Sequence, residues 1–207
     1  KDTYETRTIV IASGKRSREL NVPGENEFKN KGLTYCATCD APLFADKEVA
    51  VIGGGNSCLD AALQLIRIAK YVYIINITSS LGGDAIMLEK IQESKIVTIL
   101  NNTQVTEIIG DKMLTGIKIK KDGKEEILSV QGVFVEIGLI PNSEFASNVE
   151  RNQLGEIKVN CHNETNIPAI FAAGDVTDVP EKQIIIAAGE GSKAALSAFK
   201  YLAQHKF

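Results

Sequence analysis

The sequence has no tryptophan, only two histidines and 6% aromatic residues. Its 207 residues include just four cysteines, Cys36, Cys39, Cys58 and Cys161. A secreted disulfide scaffold is shorter and denser in cysteine, so that class is set aside and the expected compartment is cytoplasmic. Basic residues are not in excess: 23 Lys and Arg face 26 Asp and Glu, a net charge of -3. That argues against a partner that is nucleic acid or a membrane surface, because binding phosphate takes a basic face. No apolar run approaches the roughly 20 residues of a membrane span. The opening, Lys1 to Val10, has no signal-peptide pattern and no initiator Met, so residue 1 need not be the natural start. In a cytoplasmic setting the Asn-x-Thr triplets at Asn76, Asn101 and Asn163 are chance matches.

What is present is an ordinary globular composition, 44% hydrophobic and 24% charged, long enough to bury a core. Thr8 to Gly14 reads as a short buried strand, and the polar stretch from Lys15 to Gly32 as a surface connection around Pro23-Gly24. The clearest unit runs from Lys47 to Asn76. An apolar strand, Val49 to Ile52, enters three glycines. A helix follows with Leu59, Leu63 and Ile66 on one face, and a second strand, Tyr71 to Ile75, closes a βαβ unit. Asp84 to Lys95 reads as a helix and Ile96 to Leu100 as a strand. Three more strands are expected over Gln104 to Ile109, Met113 to Lys120 and Glu126 to Ile137, with an Asp122-Gly123 hairpin turn. Gly138 and Pro141 break the pattern. A strand around Ala169 to Asp175 and a helix from Ile184 to Leu202 complete the chain.

Gly53, Gly54, Gly55, Asn56 and Ser57 stand between strand and helix, where a dinucleotide fingerprint belongs. Glycines permit the tight turn and bring backbone N–H groups and a helix N-terminus to a pyrophosphate. Cys58 takes the position usually held by Gly or Ala. The end of the second strand, where an acid commonly marks NAD binding, holds Asn76, and Asn76 to Asp84 contains no Lys or Arg for a 2′-phosphate. The nucleotide is therefore NADH or NADPH, with NADH favoured.

Cys36 and Cys39 are spaced to close a small disulfide, one thiolate attacking an outside disulfide and the other resolving it. Two other readings stand beside this one. Zinc needs about four ligands, and Cys58, Cys161, His162 and His205 form no second closely spaced pair. Two inert buried thiols are the third reading. Asp40 is placed to protonate a leaving thiolate, or simply to cap a turn before Pro42.

Cys-Ala-Thr-Cys-Asp (36–40) ahead of Gly-Gly-Gly-Asn-Ser (53–57) resembles the low-molecular-weight thioredoxin reductase family. Gly132 to Phe145, Ile167 to Val176 and Lys182 to Phe199 extend the resemblance over nearly the whole chain. Pro42 to Phe44, Leu139 to Asn142 and the last of these stretches are most similar to the flavoprotein component of alkyl hydroperoxide reductase. The resemblance implies an α/β fold, a Rossmann-like three-layer nucleotide-binding domain inserted into a partial FAD-binding domain of the same type. It implies domains at 1–31 (FAD-domain segment and linker), 32–138 (NAD(P)H-binding, with the cysteine pair) and 139–207 (rest of the FAD domain). The family's first FAD-binding βαβ unit has no counterpart in this sequence. Flexible joints are implied near Asn30 to Gly32 and Gly138 to Pro141.

By the same resemblance Cys36, Cys39 and Asp40 are catalytic. Gly138, Gly174, Asp175, Gln183 and Ile184 are cofactor-binding, with Asp175 on the ribityl chain of FAD and Gln183 and Ile184 beside the flavin. Electrons would pass from NAD(P)H through FAD to the cysteine pair, then to a thioredoxin-like protein or domain, as in a peroxiredoxin system. A homodimer is implied for the full-length protein. The alternative is a nicotinamide-nucleotide-binding module that lacks FAD and is not catalytic by itself.

Overall fold

Residues 2–205 are described by a computed structural model. Residues 1, 206 and 207, at the ends of the first and third expected domains, lie outside the described residues. The chain divides into two units, one of residues 17–138 and one built from the segments before Ser17 and after Gly138. It starts with β1 (Ile9–Ile11) and β2 (Lys15–Ser17), followed by a short helix α1 (Glu25–Phe28), strand β3 (Leu33–Thr34) and short helix α2 (Ala37–Asp40). The βαβ unit is β4 (Glu48–Ile52), α3 (Asn56–Leu65) and β5 (Tyr71–Ile75), continued by α4 (Ala85–Gln92) and β6 (Val97–Leu100). An antiparallel meander follows, β7 (Thr103–Gly110), β8 (Leu114–Lys121) and β9 (Lys124–Ser129), before β10 (Gly132–Val135).

The unit of residues 17–138 is built on a five-stranded parallel sheet in the order β3-β10-β4-β5-β6. Successive residues of β4 face opposite ways, and both faces are covered, as parallel sheets require. Val49 and Val51 join Val72, Ile74 and Phe134 under α3 and α4. Ala50 and Ile52 join Ile75, Val133 and Val135 under the meander, with Ile108, Ile117 and Ile119. The result is three layers, helix, sheet and meander. Between β8 and β9, Asp122 and Gly123 have φ of 50° and 79°, the pair of positive values that a two-residue type I′ hairpin turn needs.

Two sequence expectations are corrected here. Glu126 to Ile137 is two strands in different sheets, β9 in the meander and β10 in the parallel sheet. The handover falls at Val130 and Gln131, where the Gln131 N–H donates to the Glu48 carbonyl at 2.8 Å. The polar interruption from Ser129 to Gly132 is too short to mark a strand end, and only the strand pairing separates the two. Residues 17–31, expected to be an FAD-domain segment and surface linker, group instead with the sheet. Phe28 is buried, and Leu20 and Val22 pack on the same core. Gly24 (φ 81°) lies so close to Ile108 that a Cβ would sit 2.1 Å from its carbonyl oxygen. Asn30 to Gly32 is held inside this unit as well: Leu114 N–H donates to Lys31 O at 2.9 Å and Val133 N–H to Gly32 O at 2.8 Å. The unit boundaries fall at Arg16/Ser17 and Gly138/Leu139.

The other unit contains β11 (Leu139–Pro141), β12 (Ile170–Ala172) and the long helix α5 (Ile184–Gln204). β1 and β12 pair in parallel, and β2 pairs with β11. Ala194 and Ala198 of α5 pack on Phe171 and Ala173. Small residues on this face let the helix approach the two-stranded sheet closely. On the other side Ile11, Val149, Ile157 and Val176 form a second small cluster. Glu156, nearly buried there, pairs with Lys15 at 2.5 Å and Lys182 at 3.4 Å.

Phe134 is fully buried and meets Phe44 edge to face, ring centroids 4.9 Å apart. Phe134→Ala is expected to lower the unfolding free energy by about 3–5 kcal/mol. The exposed Ile127→Ala is expected to change it little. Denaturant titrations of the two variants check this.

Candidate active site

The strand order reverses between β4 and β10, because the chain steps outward through β5 and β6 and then returns to the other side of β4. Ligands of open α/β sheets bind at the carboxyl ends of strands at such a point. Gly53 leaves β4 here with φ 148°, and a Cβ on it would lie 2.2 Å from the Glu136 carbonyl oxygen. The turn cannot carry a larger residue without parting the two strand ends. Cys58 packs beneath it, 3.1 Å from that same Cβ position. A small side chain at the third fingerprint position thus serves helix–strand contact. Burial pushes the Cys58 thiol up to about 12, with the Glu136 carboxylate adding to the effect.

Gly55 caps α3 without a side-chain bond, and nothing lies within 4 Å of where its Cβ would be. Gly55, Asn56 and Ser57 are exposed, so the first N–H groups of a ten-residue helix face an open surface. A cavity of about 770 Å³ adjoins the turn, lined by Gly53, Gly54, Asn76, Thr78, Ile137 and Arg18 among others. Backbone donors, helix N-terminus and cavity together fit a dinucleotide.

Asn76 is placed differently from a ribose ligand. It is buried, and its amide donates to Thr78 O at 3.2 Å and Asn101 Oδ1 at 2.9 Å. Its Oδ1 accepts from Thr78 N at 3.3 Å and Thr78 Oγ1 at 3.0 Å. A Cβ on Gly54 would lie 2.4 Å from that oxygen. Asn76 therefore shapes the glycine turn and the loop after β5, with its hydrogen-bonding capacity used internally. The same loop is tied down by Gly82 N–H to Gly54 O at 2.7 Å and Asp84 N–H to Asn56 Oδ1 at 2.9 Å. Sequence reasoning found no cation near this site. Arg18, far away in sequence, lines the cavity, and no local signal points to it.

Cys36 and Cys39 are joined in a disulfide, with Cα atoms 5.3 Å apart. Cys36 is the N-cap of α2, and its sulfur accepts from Cys39 N at 3.2 Å. Cys39 is exposed and Cys36 half-buried. Thr34, buried at the end of β3, links this helix to Asp40: its Oγ1 accepts from Cys36 N at 3.2 Å and donates to Asp40 Oδ2 at 2.5 Å. Asp40 thus sits at the far end of α2 from Cys36, on a small cavity of about 190 Å³ with Thr34, Phe44 and Lys47. Thr34 was missed in the sequence, where a hydroxyl two residues before a cysteine carries no signal. Glu136 was missed too. Its signal was a lone carboxyl in the apolar run Gly132 to Ile137.

In the other unit, Gly174 (φ 72°) opens a 3₁₀ turn carrying Asp175, and its Cβ position lies 3.3 Å from Ala187 of α5. That contact brings Asp175 to the first turn of α5, whose N-cap Gln183 has no side-chain bond. Ile184 is 91% exposed beside it. These groups offer a hydroxyl acceptor, a helix N-terminus and an apolar edge, a set that fits part of a flavin site. Gly138, with φ 102°, is an exposed hinge-type position after β10.

A Rossmann-like sheet with a glycine turn and a disulfide on one of its short helices is the pattern of the pyridine nucleotide-disulfide oxidoreductase family. A family model described as pyridine nucleotide-disulphide oxidoreductase matches residues 1–192, and the chain belongs to that family. An alkyl hydroperoxide reductase component of Staphylococcus aureus (strain MSSA476) is 45% identical over 201 residues, covering 96% of this chain and 40% of that protein. A protein named NADH dehydrogenase from Bacillus subtilis (strain 168) is 46% identical over the same coverage. Among solved structures, thioredoxin reductase from Streptococcus pyogenes MGAS5005 superposes with TM-score 0.84 at 31% identity, covering 96% of this chain and 66% of that one. The T. acidophilum thioredoxin reductase does so with TM-score 0.74 at 40% identity, covering 96% and 67%. The chain is an oxidoreductase-family protein of the thioredoxin reductase type, and it spans 40% of the length of these curated relatives.

Thiol labelling checks the site. The folded chain is expected to label at exposed Cys161 alone, at Cys36 and Cys39 as well after mild reductant, and at buried Cys58 only on unfolding. Free Cys36 and Cys39 in a folded, oxidant-treated sample would rule out the redox reading.

Proposed function

We propose that the protein, in its full-length form, is a flavin-dependent disulfide reductase. It would carry electrons from NAD(P)H to the Cys36–Cys39 disulfide and on to a thioredoxin-like protein or domain, as in a peroxiredoxin system. The observation that carries this is the disulfide-bonded pair on α2 in the same unit as the glycine turn. Bound FAD would supply the two-electron relay between nicotinamide and disulfide. The chain's own residues have distinct tasks. Gly53 to Ser57 would receive the nucleotide's pyrophosphate. Asp175, Gln183 and Ile184 would hold the flavin. Cys39, the exposed residue of the pair, is the one open to attack, which would release Cys36 as thiolate, and Asp40 would supply a proton to the leaving thiolate. The names of the relatives, a component of alkyl hydroperoxide reductase and thioredoxin reductases, support the choice of partner class. A homodimer is part of the same proposal.

A second reading is a module that binds nicotinamide nucleotide without flavin. It is favoured by the cavity and helix N-terminus at the glycine turn, which lie wholly within residues 17–138. The visible absorption spectrum of the purified chain separates the two.

In the full-length protein, Cys39→Ser is expected to leave flavin bleaching by NAD(P)H intact and abolish onward disulfide reduction. Asp175→Ala is expected to lower flavin retention, read as the absorbance ratio after gel filtration. NADH is expected to reduce the flavin faster than NADPH, because Asn76 to Asp84 offers a 2′-phosphate no cation. A wild-type preference for NADPH that disappears in Arg18→Ala would reverse that assignment.

A further inference from the structure

Thr34 stands between the parallel sheet and the redox helix. It is the last residue of β3, where it pairs with Phe134 of β10, and it is buried at 6% exposure. A buried hydroxyl needs one partner for its proton and another for its lone pairs. Both partners of Thr34 belong to the redox helix and its cap. Oγ1 accepts from the Cys36 N–H at 3.2 Å and donates to Asp40 Oδ2 at 2.5 Å. One side chain therefore spans α2 from its N-cap to its last residue. This helix has four residues, too few to hold helical form alone, because a first turn fixes several dihedrals for one hydrogen bond. Its own bonds run from Asp40 N–H to Cys36 O at 3.1 Å, from Ala41 N–H to Ala37 O, and from Cys39 N–H to the Cys36 sulfur at 3.2 Å. Two further fastenings act across it, the disulfide and the Thr34 hydroxyl.

We propose that Thr34 is a positioning residue for disulfide exchange, its hydroxyl keeping the opened cysteine pair in the geometry from which it closes again. This rests on the disulfide-reductase reading above and deepens it. While the disulfide is closed, the covalent bond holds Cys36 and Cys39 together whatever Thr34 does. Once the bond opens, that restraint is gone. A hydroxyl bound at both ends of α2 then keeps the two sulfurs within reach of each other, so little further freedom is lost on closing. With glutathione disulfide as oxidant, Cys39 loses its proton to solvent and its thiolate attacks one glutathione sulfur. A mixed disulfide forms and one glutathione thiolate is released. Cys36, its proton also lost to solvent, attacks Cys39 Sγ, forms the Cys36–Cys39 bond and releases the second glutathione as thiolate. Two electrons have then passed from the cysteine pair to glutathione disulfide, and solvent returns two protons to the two glutathione thiolates. Thr34 acts on the second step, which depends on the distance between the cysteines, and not on the first, which needs only the exposed Cys39. Without the hydroxyl the opened helix relaxes and the closed one cannot, which shifts the equilibrium toward the opened pair.

The test equilibrates the chain with mixtures of reduced and oxidised glutathione and reads free thiols by alkylation and mass. All samples carry Cys161→Ser, because that exposed thiol also takes glutathione. Thr34→Val removes the hydroxyl at nearly constant shape, and Thr34→Ser keeps it. Thr38→Val removes an exposed hydroxyl of the same helix that meets Gln64 at 3.4 Å. The effective concentration of the pair, [GSH]²/[GSSG] at half oxidation, is expected to fall about tenfold in Thr34→Val. The glutathione adduct at Cys39 is expected to build up in that variant, because the closing step is the one slowed. Thr34→Ser and Thr38→Val are expected to stay near the unsubstituted value. Thr34→Ala, read in the same way, serves if the Val variant does not fold. An unchanged value in Thr34→Val, or a fall as large in Thr34→Ser or Thr38→Val, overturns the role of the Thr34 hydroxyl and leaves the disulfide-reductase reading in place. A pair that stays as two thiols at every glutathione ratio in the chain with native Thr34 overturns both.

Discussion

The close approach of two strand ends at Gly53 and Glu136 is the constraint on which the site depends. A backbone carbonyl stands where any Cβ on residue 53 would be, so glycine is required and β4 and β10 can end side by side. That approach aims the N-terminus of α3 outward and seats Cys58 beneath the turn. A nucleotide-type turn and a redox helix share one neighbourhood because both depend on the same pair of parallel strands.

The second consequence concerns charge. The disulfide helix has four residues and no macrodipole of consequence, so it tunes its sulfurs mainly through neighbours. Thr34 orients Asp40 at the end of the helix away from Cys36. Reduction of a disulfide creates thiolates in a partly dry setting, where each needs a proton or an opposing charge.

Much of this was legible in the sequence. The strand–glycine–helix–strand order, the Cys-x-x-Cys spacing and the Asp122-Gly123 hairpin are local patterns, each tied to a short-range steric rule, and the structure carries all three. Other features were not legible, because they depend on what lies across a sheet. The handover from β9 to β10 falls in the short interruption from Ser129 to Gly132, and only the pairing of each strand shows that they belong to different sheets. Residues 17–31 look like a polar connection until Phe28, Leu20 and Val22 are seen beneath the meander. Asn76 has the right position for a ribose ligand, but its side chain turns inward toward Thr78 and Asn101, and those partners were not deducible from spacing.

By itself the sequence determined the fold class, the family, the glycine turn and the pairing of Cys36 with Cys39 as candidates for one reaction. The glycine turn and the cysteine pair rest on residues within a few positions of each other, where backbone sterics and covalent reach set the geometry; the fold class and the family rest on motifs spread along the chain. Only the tertiary structure decided which groups surround that reaction. Arg18 is brought to the cavity by a segment distant in the chain, and Thr34 is set behind Asp40 by the end of β3. Their roles follow from burial and neighbouring charge, and these exist only once the parallel sheet has assembled and excluded water from its edge.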